Sequence, residues 1–360
     1  MKKKIKIAIL FGGKSAEHTI SIISARNIVK GIDQEKYEIT LIGITKEGEW
    51  YLQDMKYFLN DKSVSRPIRN TTDRVTFLPQ CNGELFNVSN PSQKQLIDVV
   101  FPVLHGTYGE DGSVQGLLRV ANIPFVGSSV LSSAICMDKD IAKKLLRDAG
   151  IPIADFLTYD NFKKVDYDEI LFKLGTQLFV KPAGSGSSIG TSKVKGPTSL
   201  KVCIKKAFKY DRKVIVEEYI EGREIECAVI GNRIPKASCL GEIVPKDDYY
   251  SYDAKYTKKD GADILIPADI EKEKSGEIRR LAIQVYKVLE CEGLARVDFF
   301  LKKDGTILVN EVNTIPGFTS ISMYPKLWEE SGMEYSKIID KLVELAFDKF
   351  YEEKVVSLNY

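Results

Sequence analysis

The residues of this chain most suggestive of chemistry are Arg296, Asp298, Glu311 and Asn313, in the stretch ARVDFFLKKDGTILVNEVNTIPG. Two alternating apolar segments flank Asp304-Gly305, and an Asp-Gly pair in that setting predicts a two-residue hairpin loop pairing Lys303 with Thr306. That register sets Asp298 opposite Glu311 and Arg296 opposite Asn313. All four then share one sheet face, because strand side chains alternate. Directly opposed carboxylates stand about 4.5 to 5.5 Å apart at Cβ and repel. A cation is therefore expected between them, and an all-oxygen set of Asp, Glu and Asn suits Mg²⁺ rather than zinc. A one-residue slip would scatter the set into solvated charges at an exposed hairpin end.

Magnesium held by three protein groups normally keeps phosphate oxygens as its remaining ligands, so a phosphate cradle is expected elsewhere. FVKPAGSGSSIGTSKV has the right parts: a strand delivering Lys181, then Gly184, Gly186 and Gly190 among small hydroxyl residues whose backbone N–H groups can surround an anion. It is not a Walker loop, and Ile189 stands where a dinucleotide fingerprint needs its third glycine. Alone, such a loop is more often a hairpin turn, and Lys139 on its charged helix more often a solvated lysine. The polar loop PKDDYYSYDAKYTKKDGAD has four tyrosines, which argues for a lid rather than a linker.

The elements that must position these groups are legible in outline. IKIAILFGGKSAEHTISIISARNIVKGI reads as strand, Gly turn and helix, and EITLIGIT, DVVFPVLHG and IPFVG as further apolar strands of an open α/β unit. Residues 51–95 are polar and poorly periodic and read as an insertion. A middle segment holds the helix MDKDIAKKLLRDAG and the strands LFVKP and VIVEEYI. The last part holds the helix KSGEIRRLAIQVYKVLE, the hairpin and a terminal amphipathic helix. The chain has 360 residues, 44% hydrophobic and 28% charged, enough for two or three domains with sizeable cores. Its 52 basic residues are offset by 50 acidic ones for a net charge of +2, which makes no electrostatic case for a nucleic-acid or membrane partner. The basic start looks like a signal n-region, but Lys6 and Gly12-Gly13 interrupt the apolar run and no cleavage pattern follows. No apolar run approaches membrane-spanning length. Six scattered cysteines read as free thiols in a reducing cytoplasm.

FGGKSAEH, FPVLHGTYGEDGSVQG, MDKDIAKKLL, VKPAGSGSSIG, VEEYIEGREIE, YDAKYT, and ARVDFF followed by NEVNTIPGFTSISMYP together resemble the D-alanine:D-alanine ligases of the ATP-grasp superfamily. The resemblance runs from about residue 4 to 345, with 51–95 outside it. It implies mixed α/β and α+β architecture in three domains: an N-terminal open parallel-sheet domain at 1–127, a central ATP-grasp domain at 128–216 and a C-terminal catalytic domain at 217–360. ATP would be clamped between the last two, and D-alanine bound where all three meet. Lys139 and Lys181 match lysines on the nucleotide phosphates, with Gly186 and Ser188 in the loop over them. Glu217 and Glu224 match groups at adenine and ribose. Asp298, Glu311 and Asn313 match ligands of two Mg²⁺ ions, which Mn²⁺ could replace.

The implied reaction phosphorylates one D-alanine to an acyl phosphate, which the amine of a second attacks through a tetrahedral intermediate. Arg296 and the Gly317 N–H match the groups that stabilise its oxyanion. Glu17 matches the carboxylate on the first substrate's ammonium, although its position also reads as a helix N-terminal charge. Ser187 and Tyr256 match its hydrogen-bonded partners, and Lys255 a cation brought to the γ-phosphate by lid closure. Ser322 matches the group at the second carboxylate. His105 matches a histidine near the first D-alanine and reads equally well as a structural histidine. The product would serve cell-wall peptidoglycan synthesis, and a homodimer is expected. Two alternatives belong to other classes: a nicotinamide dehydrogenase, against which the missing fingerprint counts, and a non-catalytic nucleotide sensor. Within the family, D-serine and D-lactate are alternative acceptors. Met323 stands where those types share an arginine, which favours D-alanine.

Overall fold

The computed structural model describes residues 3–60, 68, 73–246 and 262–355. Its first sheet is built on the strand Ile5–Gly12, flanked in parallel by Tyr37–Ile44 and Val99–Val103, with Trp50–Gln53 antiparallel at one edge. Ile7, Ala8, Ile9 and Leu10 are fully buried, as expected of a parallel strand covered on both faces. The chain leaves this strand through the helix His18–Gly31 to one neighbour and later returns to the other. Strand order thus reverses beside Ile5–Gly12, which opens a crevice at the carboxyl ends of that strand and Val99–Val103. Glu17 and His105 follow those two ends directly.

The segment 51–95 is more ordered than its composition predicts. Tyr51 belongs to the first sheet, and Val75–Phe77, Glu84–Asn87 and Lys94–Leu96 form an antiparallel sheet of their own. Val75, Phe77 and Leu85 bury with Ala8, Leu10 and Val100. Strands of three or four residues are too short to display a period.

A second, antiparallel sheet runs Ser192–Lys195, Gln177–Pro182, Val214–Glu218, Phe156–Tyr159. The helices Tyr167–Leu174 and Pro197–Ala207 close its core. The third runs Ala262–Leu265, Lys236–Pro245, Arg223–Gly231, Gly293–Leu301, Ile307–Asn313. One of its faces packs Ile225, Cys227, Val297 and Phe299 on the helix Lys272–Val288, and on Cys136, Ala142 and Leu146 from the helices Val130–Met137 and Lys139–Asp148. On the other, Ala228, Ile230 and Leu294 share a core with the first sheet and the helices Met323–Glu330 and Tyr335–Val355. All six cysteines are free.

The hairpin of the third sheet departs from the expected turn and still reaches the expected pairing. Its loop is three residues, not two: Lys302 N–H bonds to Thr306 O at 2.9 Å and Gly305 N–H to Lys302 O at 3.0 Å. Gly305 takes φ +83° there, a backbone that favours glycine. Leu301 therefore pairs with Ile307 and Phe299 with Val309, one step out of the expected register. A bulge at Asn310 adds one residue to the second strand, after which Asp298 faces Glu311 and Arg296 faces Asn313. The two departures cancel, and the bulge re-aims a side chain as such insertions commonly do.

Candidate active site

Two adjoining cavities occupy the space between the sheets. The first, about 380 Å³, lies between the second and third sheets and is lined by Lys139, Lys181, Ser188, Glu224, Asn310 and Glu311, with Phe179 and Tyr219 as aromatic walls. Lys139 opens the helix Lys139–Asp148, whose N-cap Asp138 accepts the Asp140 and Ile141 N–H groups. Its Nζ donates to Ser185 O at 2.7 Å and lies 3.6 Å from Glu311. The 184–190 loop is thereby tied from below. At its far end Gly190 has φ +73°, and a Cβ there would lie 2.7 Å from Tyr210. Ser187 and Ser188 hold φ of +49° and +59°, a left-handed backbone that costs a non-glycine residue about 1 kcal/mol or more and concentrates at ligand clamps.

Lys181 Nζ lies 2.6 Å from Glu217 and 3.3 Å from Asn310 Oδ1. Sequence reasoning missed Asn310, because the bulge that turns it into the cavity has no local signature. It also missed Lys143, buried and 3.1 Å from Glu217. Glu217 itself is only 3% exposed and sits beneath the cavity wall between the two lysines. Burial pushes its carboxyl up, but the Lys143 and Lys181 ammoniums outweigh that and hold it at about 2. Burial likewise lowers Lys143. A depressed carboxylate contributes stability that is present above its ordinary value of 4.5 and lost as pH falls toward about 2. Urea unfolding of wild type and Glu217→Gln across that window should therefore show a large stability difference near neutrality that closes at the acid end. A pH-independent difference would contradict the ion-pair account.

The second cavity, about 330 Å³, shares Glu311 and Ile243 with the first and brings together Glu17, His105, Ser187, Arg296, Asn313, Gly317, Ser322 and Met323. Glu17 precedes the helix His18–Gly31 but makes no side-chain cap bond to it; its carboxylate instead accepts from Ser187 Oγ. Glycines flank that carboxylate: a Cβ on Gly106 or Gly186 would lie 2.8 or 3.0 Å from Glu17 Oε2. Gly317 needs its small size for the same reason, since a Cβ there would meet Ser322 Oγ at 2.7 Å. Ser322 Oγ accepts the Thr319 N–H at 2.9 Å. Met323 is 4% exposed and packs on Gly241, forming an apolar wall. Glu110, also on this wall, was not singled out from sequence. Desolvation first, and the Glu17 charge next, push its carboxyl up. Lys255 and Tyr256 lie outside the described residues.

Arg296 spans the polar end of its sheet face. Its Nε and Nη2 donate to the two oxygens of Asp298 at 2.7 and 2.8 Å, and Nε lies 2.9 Å from Glu226. Asn313 Nδ2 donates to Asp298 Oδ2 at 3.1 Å. The cation expected near the opposed carboxylates is thus supplied in part by the chain itself. Among the described residues no cluster of three or more His, Cys, Asp or Glu could hold a metal. Asp298 nevertheless faces Glu311 across the strand pair and accepts from Asn313, and Glu311 opens onto the cavity with the two lysines; two carboxylates and one amide so grouped form the donor set that a hard cation shared with phosphate oxygens requires. The residues fit Mg²⁺ and not a metal caged by protein alone.

Two antiparallel sheets closing on a cleft with paired lysines and a Gly/Ser loop define the ATP-grasp architecture. The D-ala D-ala ligase N-terminus family model matches residues 6–128, and the D-ala D-ala ligase C-terminus model matches 145–344. The D-alanine–D-alanine ligase A of Chromobacterium violaceum is 50% identical over 359 residues, covering 98% of each chain. The solved D-alanine-D-alanine ligase of Coxiella burnetii superposes with a TM-score of 0.85 at 41% identity, covering 98% of this chain and 97% of that one. The VanG D-Ala:D-Ser ligase of Enterococcus faecalis does so with 0.84 at 38% identity, over 96% of this chain and 100% of that one. The chain belongs to the D-alanine–D-alanine ligase family.

Proposed function

We propose that this protein joins two D-alanines into D-alanyl-D-alanine at the expense of ATP, as a step in peptidoglycan precursor synthesis. The observation that carries this reading is the shared wall: Glu311 faces both the lysine-lined cavity and the one holding Glu17, Arg296 and Gly317. A phosphoryl group held on one side can reach a carboxylate held on the other. Lys139 and Lys181 bind the phosphates, Ser188 and Gly186 close over them, and Glu224 lines the nucleotide's cleft. Asp298, Glu311 and Asn313 would hold Mg²⁺ ions, which neutralise phosphate charge during transfer. Glu17, oriented by Ser187, takes the ammonium of the first D-alanine. Arg296 and the Gly317 N–H face the oxygen that becomes negative when the second amine attacks the acyl phosphate. Ser322 orients the second carboxylate. We read three domains near 1–127, 128–216 and 217–360, the first carrying two of the four sheets, and the protein as a cytoplasmic homodimer.

The buried Met323 wall offers a D-serine hydroxyl no partner, and an unmatched hydroxyl costs about 1 to 3 kcal/mol. D-Alanine is therefore the expected acceptor. Because the attacking amine must be neutral, apparent affinity for the second D-alanine should improve from about pH 6 to about pH 9. Competing D-alanine with D-serine and D-lactate over that range, with products identified by mass, tests the reading. Substantial D-alanyl-D-serine, or depsipeptide near neutral pH, would overturn it; absence of D-alanine-dependent ADP formation would overturn ligation altogether.

A further inference from the structure

The turn carrying Gly317 is held from outside its own sheet, by the crevice of the first sheet. Glu110 accepts two backbone N–H groups, Gly106 at 2.7 Å on Oε2 and Ile315 at 3.1 Å on Oε1. His105 Nδ1 lies 2.9 Å from Ile315 O, and its Nε2 lies 3.2 Å from Ser24 Oγ. A carbonyl only accepts, so Nδ1 carries the ring proton and Nε2 accepts from the serine hydroxyl. Ser24 Oγ in turn accepts the Phe318 N–H at 3.2 Å. Both ring nitrogens of His105 are thus committed to fixing backbone. Burial lowers its pKa, in keeping with a neutral ring. Pro316 has no N–H, so Gly317 carries the single backbone donor of residues 315–318 left without a protein partner among the described residues.

We propose that Glu110 and His105 are positioning residues that grip the N–H and the C=O of Ile315, on the two peptide groups flanking its Cα, and so aim the Gly317 N–H at the oxygen that becomes negative in the tetrahedral intermediate. This rests on the ligase reading for what Gly317 does, but not for the grip itself. It gives His105 a structural task in place of substrate contact, and it makes the oxyanion donor depend on docking of the first sheet against the third. A displacement near 1 Å of such a donor costs on the order of 100-fold in rate.

Glu110→Gln turns an NH₂ group toward one of the two N–H donors, whereas Glu110→Asp keeps two acceptor oxygens on a shorter stem. Steady-state kinetics should show Gln losing about 100-fold in kcat, with the KM for ATP nearly unchanged, and Asp retaining more kcat than Gln. A space-filling role gives the opposite order, because Gln matches Glu in volume; wild-type kcat in Glu110→Gln, or Gln exceeding Asp, would overturn the grip. Amide hydrogen exchange on the wild-type protein tests it independently of folding of the variants and of ligase activity. Slow exchange at Ile315 with fast exchange at Gly317 is expected, and fast exchange at Ile315 would sink the proposal. Loss of ligation in the wild type with Ile315 still protected would count against the ligase reading alone.

Discussion

Arg296→Ala is expected to abolish dipeptide formation and to weaken the fold at once. Its side chain is 17% exposed and holds Asp298 and Glu226, themselves 12% and 10% exposed. Burial works against its charge, but the Asp298 and Glu226 carboxylates more than compensate and raise its pKa. Removing the guanidinium leaves two carboxylates facing each other with Glu311 close by, and breaking a buried pair from one side costs about 3 to 5 kcal/mol. Urea unfolding reads that loss. Arg296→Lys separates it from catalysis, since an ammonium neutralises one carboxylate but cannot fork across both oxygens of Asp298. The lysine variant should stay folded and lose about 10²- to 10³-fold in kcat, the usual cost of a missing oxyanion donor. A lysine variant within a factor of about three of wild type would remove Arg296 from the reaction.

Asp298→Asn and Glu311→Gln should each lower turnover by about 10³-fold or more while leaving the fold intact, because a metal clamp on transferring phosphate is worth several kcal/mol. Asn at 298 still accepts from Arg296, so the sheet face keeps most of its hydrogen bonds. Gln at 311 removes the charge on the wall shared by both cavities. Beyond ADP release, the Mg²⁺ concentration needed for tight ATP binding should rise in each variant, a readout that does not need turnover. Unchanged Mg²⁺ dependence together with near-normal D-alanine-dependent ADP release would sink the metal assignment.

Some of this site could be read from residue types and spacing. An apolar strand running into Gly12-Gly13 and then Glu17 indicates a parallel sheet with a charge at its carboxyl end, because periodicity and glycine turns are local properties. Opposition of Asp298 and Glu311 also followed from alternation about an Asp-Gly turn, although through a register that the protein does not use. The three-residue loop and the Asn310 bulge are chosen by how Phe299, Val309 and Leu301 pack into the third sheet's core. A stretch of 23 residues cannot encode that choice by itself. The same limit hid the order in 75–96, where packing under the first sheet stabilises strands too short to show a pattern.

What only the tertiary structure decided is which polar groups meet. Glu17 and Ser187 are 170 residues apart in sequence, Lys181 and Asn310 129, and Glu110 and Ile315 205. Each pair joins different sheets, so no local propensity or spacing rule connects its members. Lys143 and Glu110 read in sequence as ordinary helix and loop charges. Only the low dielectric between packed layers makes Lys143 a necessary counter-ion, and only the docked turn turns Glu110 into an acceptor for two loops at once. The sequence by itself determined the chemical inventory and the local strand ends that display it; long-range packing, which sets burial and distance, decided which of those groups act on one another.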